Sequence, residues 1–167
     1  KVEASLGIEA VATQALDEAL DAADIVTLAT RARVPFLTAD ALPSGVHINA
    51  VGAITPERAE FEPALLARTT LCAADSVPQV RKLSREFQES FGHDEDAWAR
   101  LRPLSDLVAG GASRPESTDL TLFKAMGMGI SDLSLGIAIL ERARSVNSEH
   151  PVVMTAFEVG AREIEVD

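Results

Sequence analysis

Hydrophobic positions change their period several times along the chain. Ile25–Ala29 and Val46–Ala50 are continuous β-rich runs of strand length, the pattern of strands buried on both faces of a parallel sheet. Leu71–Ala74 and Leu120–Phe123 are shorter runs of the same kind. Between them the period lengthens to that of a helix. Within Val11–Asp24, Leu16, Ala19, Leu20 and Ala23 recur at helical spacing behind Thr13, a candidate N-cap. Pro63–Ala67 carries proline at the first position of a short helix. Val80, Leu83, Phe87 and Phe91 define one face of a helix over Pro78–Phe91, with Arg81, Lys82, Arg85, Glu86 and Glu89 opposite and Gly92 as its C-cap. Leu104–Ala109 is a short helix ended by Gly110 and Gly111. Asp132–Ala143 is a helix with Leu133, Ile137 and Leu140 inward. Beyond Pro151 there are two strand-like patches, Val152–Met154 and Ile164–Val166.

Strands that alternate with helices predict an α/β fold with a parallel sheet. One part of a doubly wound fold is missing from the pattern: nothing before Ile25 supplies a Gly-x-Gly-x-x-Gly turn, and Gly7 stands alone. Composition fits a single domain: 167 residues, 47% hydrophobic and 25% charged. Aromatics are only 4%, with no Tyr and one Trp, so the core is aliphatic. A net charge of −11 repels phosphate backbones and argues against nucleic acid and anionic membrane as partners. It leaves a dinucleotide open, because one phosphate can sit on backbone N–H groups. The single Cys72 excludes an internal disulfide and a Cys-rich metal site. With no bilayer-length apolar run and no visible signal peptide, a cytoplasmic protein is expected.

The candidate chemistry clusters at strand ends. The run from Val46 enters a tight turn at Val51–Gly52–Ala53. A glycine there lets backbone approach a flat ring or a phosphate, or simply makes a turn. His47 reads as a packed strand histidine, and His93 and His150 have no partners at metal spacing, so no metal site is expected. Lys124 follows an apolar strand and precedes Met126–Gly129. It can either reach an anion or blunt a sheet edge. Glu57, Glu60 and Glu62 read as solvated surface near a helix start, Met126 and Met128 as core fillers, and Cys72 as a buried thiol.

Three blocks of sequence resemble the ornithine cyclodeaminase/mu-crystallin family. Ala23-Asp24-Ile25-Val26-Thr27-Leu28-Ala29-Thr30 is similar to that family's strand and loop "ADIVVTAT". His47-Ile48-Asn49-Ala50-Val51-Gly52-Ala53 matches "HINAVGA". Thr121 to Leu133 is similar to "TVFKSxGxAxxDL". The resemblance covers about Val11 to Arg144, with the blocks in the family's order. It implies a Rossmann-like NAD(P)-binding domain joined to a second domain that binds substrate and forms a homodimer. In that arrangement 1–145 is a partial NAD(P)-binding domain, a truncated Rossmann-like parallel sheet with flanking helices. Residues 146–167 are then a tail leading back to a substrate and dimerisation domain.

The resemblance also implies NAD or NADP as cofactor and a small amino or imino acid as substrate. Thr27, Leu28 and Thr30 would lie beside the cofactor ribose and Val51 and Gly52 against the nicotinamide. Ala125 stands where the family often has a cofactor-side serine. The family's Gly-rich phosphate turn and N-terminal substrate residues have no counterpart here, so the chain resembles the C-terminal part of such an enzyme, inactive by itself. Cyclodeaminases and archaeal-type alanine dehydrogenases carry Asp where this chain has Ile54. Isoleucine cannot exchange a proton. That favours imine or ketimine reduction over ornithine cyclodeamination or alanine dehydrogenation, and leaves a non-catalytic mu-crystallin-like binding protein as the reading from another class.

Overall fold

A computed structural model describes residues 5–146 of the chain. The elements are α1 (Leu16–Leu20), β1 (Ile25–Leu28), β2 (Val46–Ala50), a 3-10 helix (Pro63–Arg68), β3 (Thr69–Ala74), α2 (Val77–Leu83) and α3 (Arg85–Phe91). They continue with α4 (Glu95–Ala99), β4 (Leu101–Pro103), α5 (Leu104–Ala109), β5 (Leu120–Lys124) and α6 (Gly129–Val146). The strands form one five-stranded sheet in the order β1-β2-β5-β3-β4, and every pairing is parallel. The fold is therefore the α/β parallel sheet expected from the alternation of patterns. The last of the described strands in sequence, β5, sits in the middle, between β2 and β3.

One face of the sheet carries the core. Leu28, Val46, Ile48, Ala50, Leu120, Leu122, Cys72 and Ala74 pack there with Leu65, Leu66, Val80, Phe87 and Trp98. Phe87 lies at the centre of an aromatic group, edge-on to Phe61 and Phe91 and stacked with Trp98. The single Trp thus closes the end of a mainly aliphatic core, and its Nε1–H donates to the Gly92 carbonyl. Among the described residues the other face is only partly covered. Ile25 is 65% exposed, Thr27 is exposed, and His47 and Asn49 are half-buried. Burial of β1 on both faces is thus not found: β1 is an edge strand, and Ile25 and Thr27 on its second face are exposed.

The helices differ from expectation in instructive ways. The helix expected over Val11–Asp24 is a single turn. Thr13 does not cap it; its hydroxyl accepts from the Ala15 amide and donates to Glu18 instead. The helix expected over Pro78–Phe91 breaks at Ser84, whose extended backbone separates α2 from α3. The break turns the second segment inward, so Glu86, expected on the solvated face, is buried. Strand β4 carries no apolar period of its own and was not legible. The chain divides into two compact units, one ending at Met128 and one beginning at Gly129. The second contains α6, on which Leu133 and Ile137 are exposed rather than inward among the described residues. The strand-like patches beyond Pro151 lie outside the described residues.

Candidate functional site

Parallel strands open their carboxyl ends onto a crevice, and three loops meet there. The first follows β1 and contains Ala29 and Thr30. The second follows β2 and contains Val51, Gly52, Ala53 and Ile54. The third follows β5 and contains Ala125, Met126 and Gly127. Backbone ties hold them together. The Val51 and Gly52 amides both donate to the Leu28 carbonyl, at 2.9 and 3.1 Å, and the Ala125 amide donates to the Ala50 carbonyl at 3.1 Å.

The stronger ties are carboxylates. Glu60 is fully buried, and its two oxygens accept four hydrogen bonds from two of the loops. Oε1 takes the Thr30 amide at 2.6 Å and the Thr30 hydroxyl at 2.8 Å. Oε2 takes the Gly52 amide at 2.9 Å and the Ala53 amide at 3.0 Å. Glu60 is therefore not the solvated residue expected. It lies in an extended segment beside the parallel bridge of Leu37 with Phe61, and its buried neighbours Ala59 and Phe61 carry it inside. A carboxylate between two apolar residues, eight positions after the Gly turn, is the signal that could have found it. Asp75, at the end of β3, binds the third loop by accepting from the Met126 and Gly127 amides at 2.9–3.0 Å.

Lys124 resolves in a third way, neither anion ligand nor edge guard. It is buried, and its ammonium donates to the Ala53 carbonyl at 2.6 Å. Burial pulls its pKa below the usual lysine range, opposed by attraction to Glu86, Glu60 and Asp75. Glu86 takes the Glu60 amide at 3.1 Å and the Ser84 hydroxyl at 2.7 Å. The three charged side chains thus come from three separate segments and share one enclosed region below the loops.

The glycine at 52 has a definite cause. A Cβ there would overlap the Glu60 carboxylate and the backbone of Thr30. The space it leaves is filled by the protein's own first loop, so close packing of two loops requires the glycine.

The structure brings Thr30, Val51, Gly52 and Ala125 together at the crevice. Thr30 and Val51 are exposed there, while Gly52 and Ala125 are half-buried. The Thr30 hydroxyl is already engaged, donating to Glu60 and accepting from the Ala32 amide. Leu28 presents only backbone, because its side chain is in the core. Thr27 belongs to the other sheet face. Its hydroxyl faces Asn49 at 3.4 Å, in a polar row with His47 and Thr121, beside an open depression of about 490 Å³. His47 is packed and hydrogen-bonded as expected, 2.7 Å from the Thr121 hydroxyl. Cys72 is a buried thiol, and loss of hydration pushes its pKa up to about 12. Ile54 is 39% exposed on the second loop and offers no ionisable group.

An all-parallel sheet with three anchored loops at its carboxyl edge defines an α/β domain of the class that takes ligands at that edge. The chain belongs to the ornithine cyclodeaminase/mu-crystallin family, whose model matches residues 1–147. It is similar to an ornithine cyclodeaminase of Brucella suis, 32% identical over 77% of this chain and 35% of that protein. It is also similar to a Δ(1)-pyrroline-2-carboxylate reductase of Bacillus cereus, 29% identical over 76% of this chain and 39% of the other. Among solved structures, the Δ(1)-pyrroline-2-carboxylate reductase of Thermococcus litoralis in complex with NADH and L-proline superposes with a TM-score of 0.75. It is 27% identical and matches 87% of this chain and 46% of that one. The iminosuccinate reductase of Paracoccus denitrificans in complex with NAD+ has a TM-score of 0.71 and 28% identity, over 86% of this chain and 44% of that one. The chain thus spans less than half the length of these relatives. Among the described residues no helix is long and apolar enough to cross a membrane.

Proposed function

We propose that the full-length protein is a cytoplasmic, homodimeric NAD(P)H-dependent reductase of small cyclic or acyclic imino acids. Residues 1–145 are then part of its cofactor domain, and 146–167 lead back to its substrate and dimerisation domain. The observation that carries this reading is the meeting of Thr30, Val51–Gly52 and Ala125 at one crevice, in a chain whose relatives include reductases solved with NADH or NAD+. The fit of a nicotinamide rests on the kind of groups present. Val51 offers an exposed apolar side chain for a ring face, and the loops that carry it are fixed by hydrogen bonds to Glu60. The nicotinamide supplies the hydride. This chain's residues orient the ring and keep water off one of its faces.

Ile54 favours reduction over cyclodeamination. The second loop carries no group there that takes or gives a proton, so deprotonation of an amine from this position is unavailable. An imine that arrives protonated needs no such group. Ile54 also supports the second reading, a binding protein without turnover.

Titration of the full-length protein with NADH and NADPH, followed by assay with Δ1-pyrroline-2-carboxylate and with ornithine, tests this. The expected result is saturable binding of one cofactor and its oxidation by the imine, with no ammonia from ornithine. Absence of binding to either cofactor sinks the proposal. Binding without turnover across cyclic imines, and 2-oxo acids with ammonia, transfers the function to the binding-protein reading. Proline and ammonia from ornithine would restore the cyclodeaminase.

A further inference from the structure

Among the described residues, Glu60 is the one side chain whose carboxylate accepts hydrogen bonds from both the loop after β1 and the loop after β2. It is 0% exposed and so reaches no ligand itself. Its backbone is held as well. Its amide donates to Glu86, and its carbonyl accepts from the Phe36 and Leu37 amides, farther along the β1–β2 connection, at 3.1 Å. Glu60 is therefore tied at both its backbone and its carboxylate, and the carboxylate is the part that joins the two loops.

Enclosing a carboxylate is an expensive way to gain stability, since apolar side chains of similar volume commonly do as well or better. A carboxylate does what they cannot: it accepts two donors on each oxygen and so sets the spacing of the groups that supply them. Here each oxygen serves one loop. Gly52 lacks the Cβ that would push the loops apart, and Lys124 ties the Ala53 carbonyl to β5.

We propose that Glu60 is a positioning residue for the cofactor edge: it locks the Thr30 loop and the Val51–Gly52 turn against each other, and so fixes the joint surface that they present to the nicotinamide end of the cofactor. This rests on the cofactor reading above. A ligand that rests on two loops at once loses affinity steeply when their relative position drifts.

Glu60→Gln in the full-length protein replaces one acceptor oxygen by an NH2 group that faces N–H donors. The expected result is NADH binding weakened about tenfold, with faster amide hydrogen exchange at Thr30, Gly52 and Ala53. Arg68→Met serves as the control. It removes a tie at the opposite end of the sheet, so it lowers the melting temperature while NADH affinity and exchange at those amides stay at the level of the unaltered protein. Native NADH affinity and native protection in Glu60→Gln overturn the proposal, as does equal weakening of NADH binding by Arg68→Met. If the unaltered protein takes up no NADH, the cofactor reading fails, and exchange at the two loops alone then decides whether Glu60 sets their spacing. If Glu60→Gln does not fold, Thr30→Val removes a single donor from an exposed position. Faster exchange at Gly52 and Ala53, which carry hydrogen bonds to the same carboxylate, supports the proposal; unchanged exchange there overturns it.

Discussion

The two ends of the same sheet are tied in opposite ways. At the amino end, Arg68 precedes β3 and Asp119 precedes β5. They form a two-pronged pair, Nε to Oδ2 at 2.9 Å and Nη2 to Oδ1 at 2.7 Å, and the guanidinium also donates to the carbonyls of Ala39 and Leu42. Both side chains remain partly in water. At the carboxyl end the ties are Glu60, Glu86 and Lys124, all enclosed, with Asp75 half-buried beside them. An ion pair in water closes an end of the sheet at little cost and adds little. Enclosed charges are costly unless every lone pair and proton has a partner, so they persist only where the loops are held in one arrangement. The contrast separates an end that is merely closed from an end that is shaped.

The largest break in that contrast is Lys124→Met. It leaves the Ala53 carbonyl without its donor and two enclosed carboxylates without their nearby cation, and should lower stability by about 3 kcal/mol, read by urea unfolding. Its pH dependence has a definite sign. Lys124 titrates lower folded than unfolded, so between its folded pKa and the unfolded value of 10.5 the unfolded chain binds more protons. The unaltered protein should therefore gain stability relative to Lys124→Met as pH rises through that window. A gap that narrows with rising pH would contradict the burial of the ammonium.

Asp119→Asn should have a smaller effect, with the same sign of pH dependence in an acid window instead of an alkaline one. The Arg68 guanidinium holds the Asp119 carboxyl below the usual carboxylate range. Its contribution is present above the unfolded pKa and lost as pH falls through the folded one. Melting temperatures of Asp119→Asn and the unaltered protein should therefore converge in acid, and salt should narrow the difference at neutral pH. The smallest effect concerns Cys72, on β3 between the two ends. With its thiol pushed up to about 12 and buried, it should resist iodoacetamide at pH 8 in the folded protein and react only on unfolding. Rapid labelling under native conditions would mean that the sheet opens locally.

Strands β1, β2, β3 and β5 were legible because each carries a continuous apolar run, which β4 lacks. Val46–Ala50 and Leu104–Ala109 have the bounds their patterns give, and Pro63 starts its helical turn as expected. Local period could not show the break at Ser84, since Val80, Leu83, Phe87 and Phe91 keep a helical spacing across it. The enclosed hydrogen bonds of Ser84 and Glu86 set the rotation between the two segments, and those depend on residue 60. Glu60 was misread for the same reason. A glutamate between two other glutamates looks solvated until the distant loops that supply its donors are known. The loops that follow the three resembling blocks do meet at one edge of the sheet, because each block ends a parallel strand. What the blocks could not reveal is that the Thr30 hydroxyl and the space beside Gly52 are used internally.

The central place of β5 has a consequence for how the molecule is assembled. Until residues 120–124 leave the ribosome, β1 with β2 and β3 with β4 are two separate two-stranded ladders, each too small to persist alone. The enclosed carboxylates of Glu60 and Glu86 also wait for Lys124, which arrives on that same strand. More than half of the strand pairing is thus deferred to a late, long-range step. That predicts slow folding and a nascent chain exposed to aggregation until β5 inserts.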